Sequence, residues 1–115
     1  MYLSKKGHFD LAENLIDSSL SVLNNPGNIQ LKNRFILLKS NMLIRSDRQK
    51  ESMSNSLQLL HTAEQTKDIE TQVRAKILIG WAYMELGQNR DALNWFFNAE
   101  NQQKKLPKNQ WQPFL

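Results

Sequence analysis

The 115-residue chain has no cysteine, only four glycines and three prolines, and no apolar run approaching the roughly 18 residues of a membrane helix. Without cysteine there is no disulfide and no thiolate zinc site. The opening MYLSKKGHFDLAENLI has no long apolar core behind its basic start, so no secretory signal is expected. These gaps point to a soluble, cytoplasmic protein. Charge of one sign is also scarce. Fifteen Lys and Arg against eleven Asp and Glu leave a formal +4, which suits an acidic partner but is modest for a dedicated nucleic-acid binder.

Glycine and proline are confined to Gly7, Pro26, Gly27, Gly80, Gly87, Pro107 and Pro113, and strand-like alternation is not sustained anywhere. Between these marks apolar residues recur at three and four, the spacing that gathers them on one stripe of a helix. The pattern predicts an all-α fold of five helices. The first runs from about His8 to Leu23, with Leu11, Leu15 and Ser19 on one line and Ala12, Ile16 and Leu20 beside it. The second, about Ile29 to Arg45, carries Leu31, Phe35, Leu38 and Met42, with Leu37 and Ile44 alongside. The third, about Lys50 to Thr66, places Met53, Leu57, Leu60 and Glu64 in line, next to Ser56 and Ala63. The fourth, about Ile69 to Leu86, is apolar on nearly every side from Ala75 onward, the mark of a helix sandwiched between neighbours. The fifth, about Arg90 to Gln103, turns Ala92, Leu93, Phe96 and Ala99 inward. The tail LPKNQWQPFL, with two prolines, does not continue it.

The chain also repeats itself. Gly7 and Gly87 lie 80 apart, each followed by Ala12 or Ala92, then Ile16 or Phe96, then Ser19 or Ala99. Ser56, Leu60 and Ala63 give the same small, large, small steps in the middle. A small residue at a crossing lets two helix axes approach, and a bulky one a turn later fills the wedge between them. Glycine at the turn supplies a left-handed cap.

In this order, residues 77 to 100 resemble a tetratricopeptide repeat, a helix–turn–helix unit of about 34 residues. The resemblance rests on Ile79-Gly80, Ala82-Tyr83, Gly87, Ala92, Phe96 and Ala99. Residues 6 to 20 resemble the second helix of another such unit through Gly7, Phe9, Ala12 and Ser19. Lys76 and Asn89 replace the family's usual aromatics, and Lys104 replaces the expected proline. The resulting division is a helical repeat domain over 1–105, made of a half repeat (6–24), a degenerate repeat (29–66) and the best repeat (69–103), followed by a tail (106–115). The degenerate copy lacks a turn glycine and is expected to carry about four extra residues between its helices. A first helix without most of its partner is expected to leave apolar surface open, either in a longer protein or for self-association. The tail, through Leu106, Trp111, Phe114 and Leu115, is a candidate cap on the fifth helix.

No constellation for chemistry is legible. His8 and His61 stand apart without acidic partners at ligand spacing, and no phosphate loop, nucleophile elbow or zinc-protease helix occurs. Asp10 with Glu13, and Asp68 with Glu70, belong to helix starts, where the macrodipole favours carboxylates. No catalytic residue, metal or cofactor is expected. Basic residues are scattered, mostly without the interleaved aromatics of a base-stacking surface.

The resemblance implies a concave face lined by the first helix of each repeat. It places Arg74, Ile77, Trp81, Met84 and Glu85 there, with Arg34, Leu37, Asn41, Ile44 and Arg45 as the equivalents in the weak repeat. Facing outward, these would form an apolar strip edged by arginine, suited to an amphipathic or extended peptide with acidic flanks. The competing reading puts Trp81 and Ile77 in the core. The function expected is a non-catalytic protein-interaction module. One alternative is a sensing or oligomerising segment of a larger bacterial transcription regulator. A weaker one is a helical repeat that binds nucleic acid.

Overall fold

The computed structural model describes residues 5–22 and 29–112, with side chains from Leu11 onward. Among them the chain is all-helical: α1 (Lys5–Val22), α2 (Ile29–Arg45), α3 (Gln49–Gln65), α4 (Ile69–Glu85) and α5 (Asn89–Gln103), then a 3₁₀ turn at Lys108–Gln110. Consecutive helices pack against each other, and α2 also meets α4 across the stack. None of the described helices is long and apolar enough to cross a membrane.

The starts of α2, α3, α4 and α5 are 20 residues apart, so the hairpins α2–α3 and α4–α5 repeat at 40 residues. That is longer than the unit of about 34 residues to which residues 77 to 100 were likened. The regularity comes from three turns of one geometry. Asp47, Lys67 and Gly87 all take left-handed φ, at 61°, 59° and 79°. In each turn the following amide donates back across the helix end: Arg48 N to Leu43 O at 2.8 Å, Asp68 N to Ala63 O at 2.9 Å and Gln88 N to Tyr83 O at 2.9 Å. This is the six-to-one bond of a Schellman cap. The expected four-residue insertion between the helices of the weak copy is therefore absent. A glycine is not required for the turn; Asp47 and Lys67 adopt it at a steric cost that Gly87 avoids.

The buried positions follow the 40-residue period. On α3 they include Ser52, Ser56, Leu59 and Ala63, and on α5 their counterparts Ala92, Phe96, Ala99 and Gln103. The equivalence expected from Ser56, Leu60 and Ala63 is thus displaced by one helical turn. Ser52 and Leu59 belong to it instead, because a small serine packs at the crossing as alanine does. Leu43 is another core residue that the lines along α2 missed, while Leu31, Leu38, Leu57 and Leu93 are exposed. Gly7, expected to introduce the first helix, lies inside α1.

α4 is the sandwiched helix, with eight of its residues buried. Asp68 caps its start: Thr71 N donates to Oδ1 at 3.2 Å and Thr71 Oγ1 to Oδ2 at 2.6 Å. A Cβ on Gly80 would stand 2.6 Å from the Phe96 ring, so glycine is what lets α5 approach. Val73, Ile77, Ala92, Phe96 and Ala99 form one cluster, and Leu60, Ala75 and Ile79 a second that joins the two hairpins.

α1 packs on one side only. Ile16 is buried, whereas Leu11, Leu15 and Val22 are 72%, 70% and 82% exposed. The expected opening of apolar surface at the first helix is present, although Leu11 and Leu15 are its exposed line and not its core line. Ion pairs hold the helix in place: Arg48 reaches Glu13 at 2.6 Å and Glu51 at 2.7 Å, and Lys39 reaches Asp17 at 2.8 Å. At the other end, Gln112 N donates to Gln103 Oε1 at 2.8 Å and Trp111 Nε1 to Leu106 O at 3.0 Å, folding the tail back toward α5. Phe114 and Leu115, and the side chains of His8, Phe9 and Asp10, lie outside the described residues.

Candidate functional site

The residues expected on the concave face occupy corresponding stations of α2 and α4. The period of 40 pairs Arg34 with Arg74, Leu37 with Ile77, Asn41 with Trp81, Ile44 with Met84 and Arg45 with Glu85. The structure brings three of them together. Arg34 and Leu37 of α2 and Arg74 of α4 line one shallow, mostly polar hollow, completed by Gln30, Asp68, Glu70 and Thr71. It sits beside the capped start of α4, where Asp68 is already committed to Thr71.

Arg74 is half-buried, and its Nη2 contacts Glu70 Oε1 at 2.7 Å, one turn back on the same helix. Its Nε is buried without a hydrogen-bond partner among the described residues. Arg34 is exposed and Leu37 half-buried at the rim. The hollow therefore gathers two arginines, one of them paired with Glu70, the two carboxylates of Asp68 and Glu70, and an apolar edge. This donor set can hold a carboxylate or a backbone carbonyl, with an apolar side chain beside it.

The other seven sequence-derived residues divide between core and rim, with Ile44 buried in the core. Ile77 is 8% exposed and belongs to the Phe96 cluster, so it has almost no surface for a partner. Trp81 is half-buried and meets Phe96 edge to face, with ring centroids 5.6 Å apart and planes at 69°. Met84 packs on the same cluster. The continuous apolar strip expected through Ile77 and Trp81 is thus drawn into the α4–α5 contact by the small residues at Gly80, Ala92 and Ala99. Asn41, Arg45 and Glu85 are exposed beyond the hollow.

Sequence reasoning missed a second concavity, a cavity of about 340 Å³ between α1, α2 and α3. Its wall includes Leu20, Asn33, Lys39, Asn55 and Leu59. The only signal for it is a difference between repeats, asparagine at position 55 where the next hairpin has Trp95. Comparison of the chain with protein-family models, with curated proteins and with solved structures gives no significant match in any of the three.

Proposed function

We propose that the protein is a non-catalytic interaction module, a tetratricopeptide-like stack of helix hairpins that binds a protein or peptide segment along the α2/α4 face. The observation that carries this reading is the convergence of Arg34, Leu37 and Arg74, from two helices of equivalent position, on one hollow. Two arginines beside an apolar edge fit a segment with an acidic or C-terminal carboxylate next to an apolar side chain. Rigid, capped helices hold these groups in place before binding, so little ordering is required of the protein.

A displayed library of short peptides, selected on the full chain, tests the reading. Selected peptides should be acidic beside an apolar residue, and Arg34→Glu with Arg74→Glu should weaken them at least tenfold while the helical circular dichroism stays unchanged. Selection of no peptide, or binding indifferent to both reversals, would refute it.

A second reading, self-association through the first helix, is favoured by the exposed line of Leu11, Leu15 and Val22. Sedimentation as a function of concentration separates it: Leu15→Glu should shift any dimer to monomer, and a chain that remains monomeric at high concentration excludes it. This surface also fits the role of an oligomerising segment in a larger regulator.

A further inference from the structure

The cavity between α1, α2 and α3 has a counterpart one repeat on, which is partly filled: Lys76, Asn98 and Gln102, at the stations of Ile36, Gln58 and Thr62, still line an open hollow there. Trp95 of α5 packs into the later space against Leu60, Ala75 and Ile79. At the equivalent station of α3 stands Asn55, and the space remains open at about 340 Å³, near the lower end of ligand-site volumes, about 300–1,000 Å³. Asn33 lines it where the later hairpin has the fully buried Val73. Asn33 is only 5% exposed and forms part of the cavity wall.

The charges at the edge are already matched. Lys39 is held by Asp17 at 2.8 Å and Glu13 at 3.8 Å, and Lys32 is engaged as well. The lining therefore favours a neutral ligand over an anion. Leu20, Ile29, Ile36 and Leu59 supply apolar walls, and Asn33 and Asn55 supply acceptors.

We propose that this cavity binds a planar aromatic ring of indole or phenol size carrying one hydrogen-bond donor, which Asn33 or Asn55 accepts. The ring occupies the volume that Trp95 fills one repeat later. It comes either from a Trp or Tyr side chain of a partner or from a free aromatic molecule. The site lies on a different side of α2 from the Arg34 hollow, so it stands independently of the α2/α4 reading.

The test is titration of the ¹⁵N-labelled full chain with indole, N-acetyl-tryptophanamide and N-acetyl-phenylalaninamide, the last lacking a ring donor. Saturable shifts are expected in the Asn33 and Asn55 side-chain amides for the first two ligands, with the third at least tenfold weaker. Indole binding as well as the amide points to a free molecule, and a tighter amide points to a side chain. Asn55→Trp, the second repeat's own filling, should abolish the shifts and raise Tm. Asn33→Val, likewise the second repeat's residue, should weaken binding at least tenfold without lowering Tm, and it serves if the tryptophan variant misfolds. Absence of saturable shifts, or shifts that survive both substitutions, would overturn the proposal.

Discussion

The two hairpins share a backbone and differ in what fills it. Between α4 and α5 the crossing is apolar, with Gly80 against Phe96 and Ala92 and Ala99 on either side. Between α2 and α3 the stations of Gly80, Phe96 and Ala92 are held by Ser40, Ser56 and Ser52, and that of Ala99 by Leu59. Ser52 Oγ donates to Ser40 O at 2.7 Å across the crossing, and Ser40 Oγ and Ser56 Oγ are buried without partners among the described residues. At the Gly80 and Ala92 stations both hairpins keep a small residue, which lets the axes approach, whereas Phe96 and Ser56 differ widely in volume. A hydroxyl is accepted there when a carbonyl is within reach, and its burial is a cost where none is.

The largest expected break in that comparison is at the apolar hairpin. Phe96→Ala removes the ring packed on Gly80 and Trp81 and should cost about 3–5 kcal/mol in urea unfolding. A loss below about 1 kcal/mol would mean that the ring does not fill the α4–α5 wedge. Next come the turns. Gly87→Ala forces a Cβ onto left-handed backbone and should cost about 1–2 kcal/mol, whereas Lys67→Gly should leave stability unchanged or raise it by up to about 1 kcal/mol. Equal effects at the two sites would show that the turns are not equivalent.

The serines give opposite signs from one chemical change. Ser52→Ala loses a buried hydrogen bond and should cost about 1 kcal/mol, while Ser56→Ala removes an unpartnered hydroxyl and should be neutral or stabilising. Calorimetric Tm values that fall together would remove the distinction. The ionic clamp on α1 is worth less. Arg48, its charged form favoured by hydrogen bonds to Glu13 and Glu51, is partly exposed, so Arg48→Ala should cost no more than about 1 kcal/mol, shrinking with added salt. The smallest effect concerns Lys76, whose ammonium burial pushes below the usual lysine range, with Glu64 opposing and Lys105 adding to the shift. Its folded pKa lies below its unfolded one, so the unfolded chain holds more protons and stability should rise with pH toward the ordinary lysine value. Lys76→Met should flatten that rise in urea titrations.

Much of this fold was legible in spacing. The five helices, the wrapping of α4 by neighbours and the stations Ala92, Phe96 and Ala99 all follow from apolar residues at three and four. The period of 40 relating Arg34 to Arg74 was also readable. The register of the third helix was not, because Ser52 carries no hydropathy signal. Leu60 and Ala63 then imitated Phe96 and Ala99 one turn out of register, and a non-existent insertion followed. Leu11 and Leu15 were read only as one apolar line, because periodicity identifies a stripe without saying whether a neighbour covers it. Of the residues lining the hollow, Arg34, Leu37 and Arg74 were named from the sequence, as was Arg45, which lies outside it. Ile77 and Trp81 were not separable from the core, since one apolar face serves both packing and binding.

The most direct test of the 40-residue register is a ¹³C-edited NOESY on the full chain. The stacked-hairpin account requires contacts from Leu60 methyls to Ala75 and Ile79 and from Ser52 to Ser40, with Leu11 and Leu15 methyls free of contacts within a monomer. Contacts placing Leu57 in the position assigned to Leu60, or Leu11 and Leu15 inside the monomer, would contradict it.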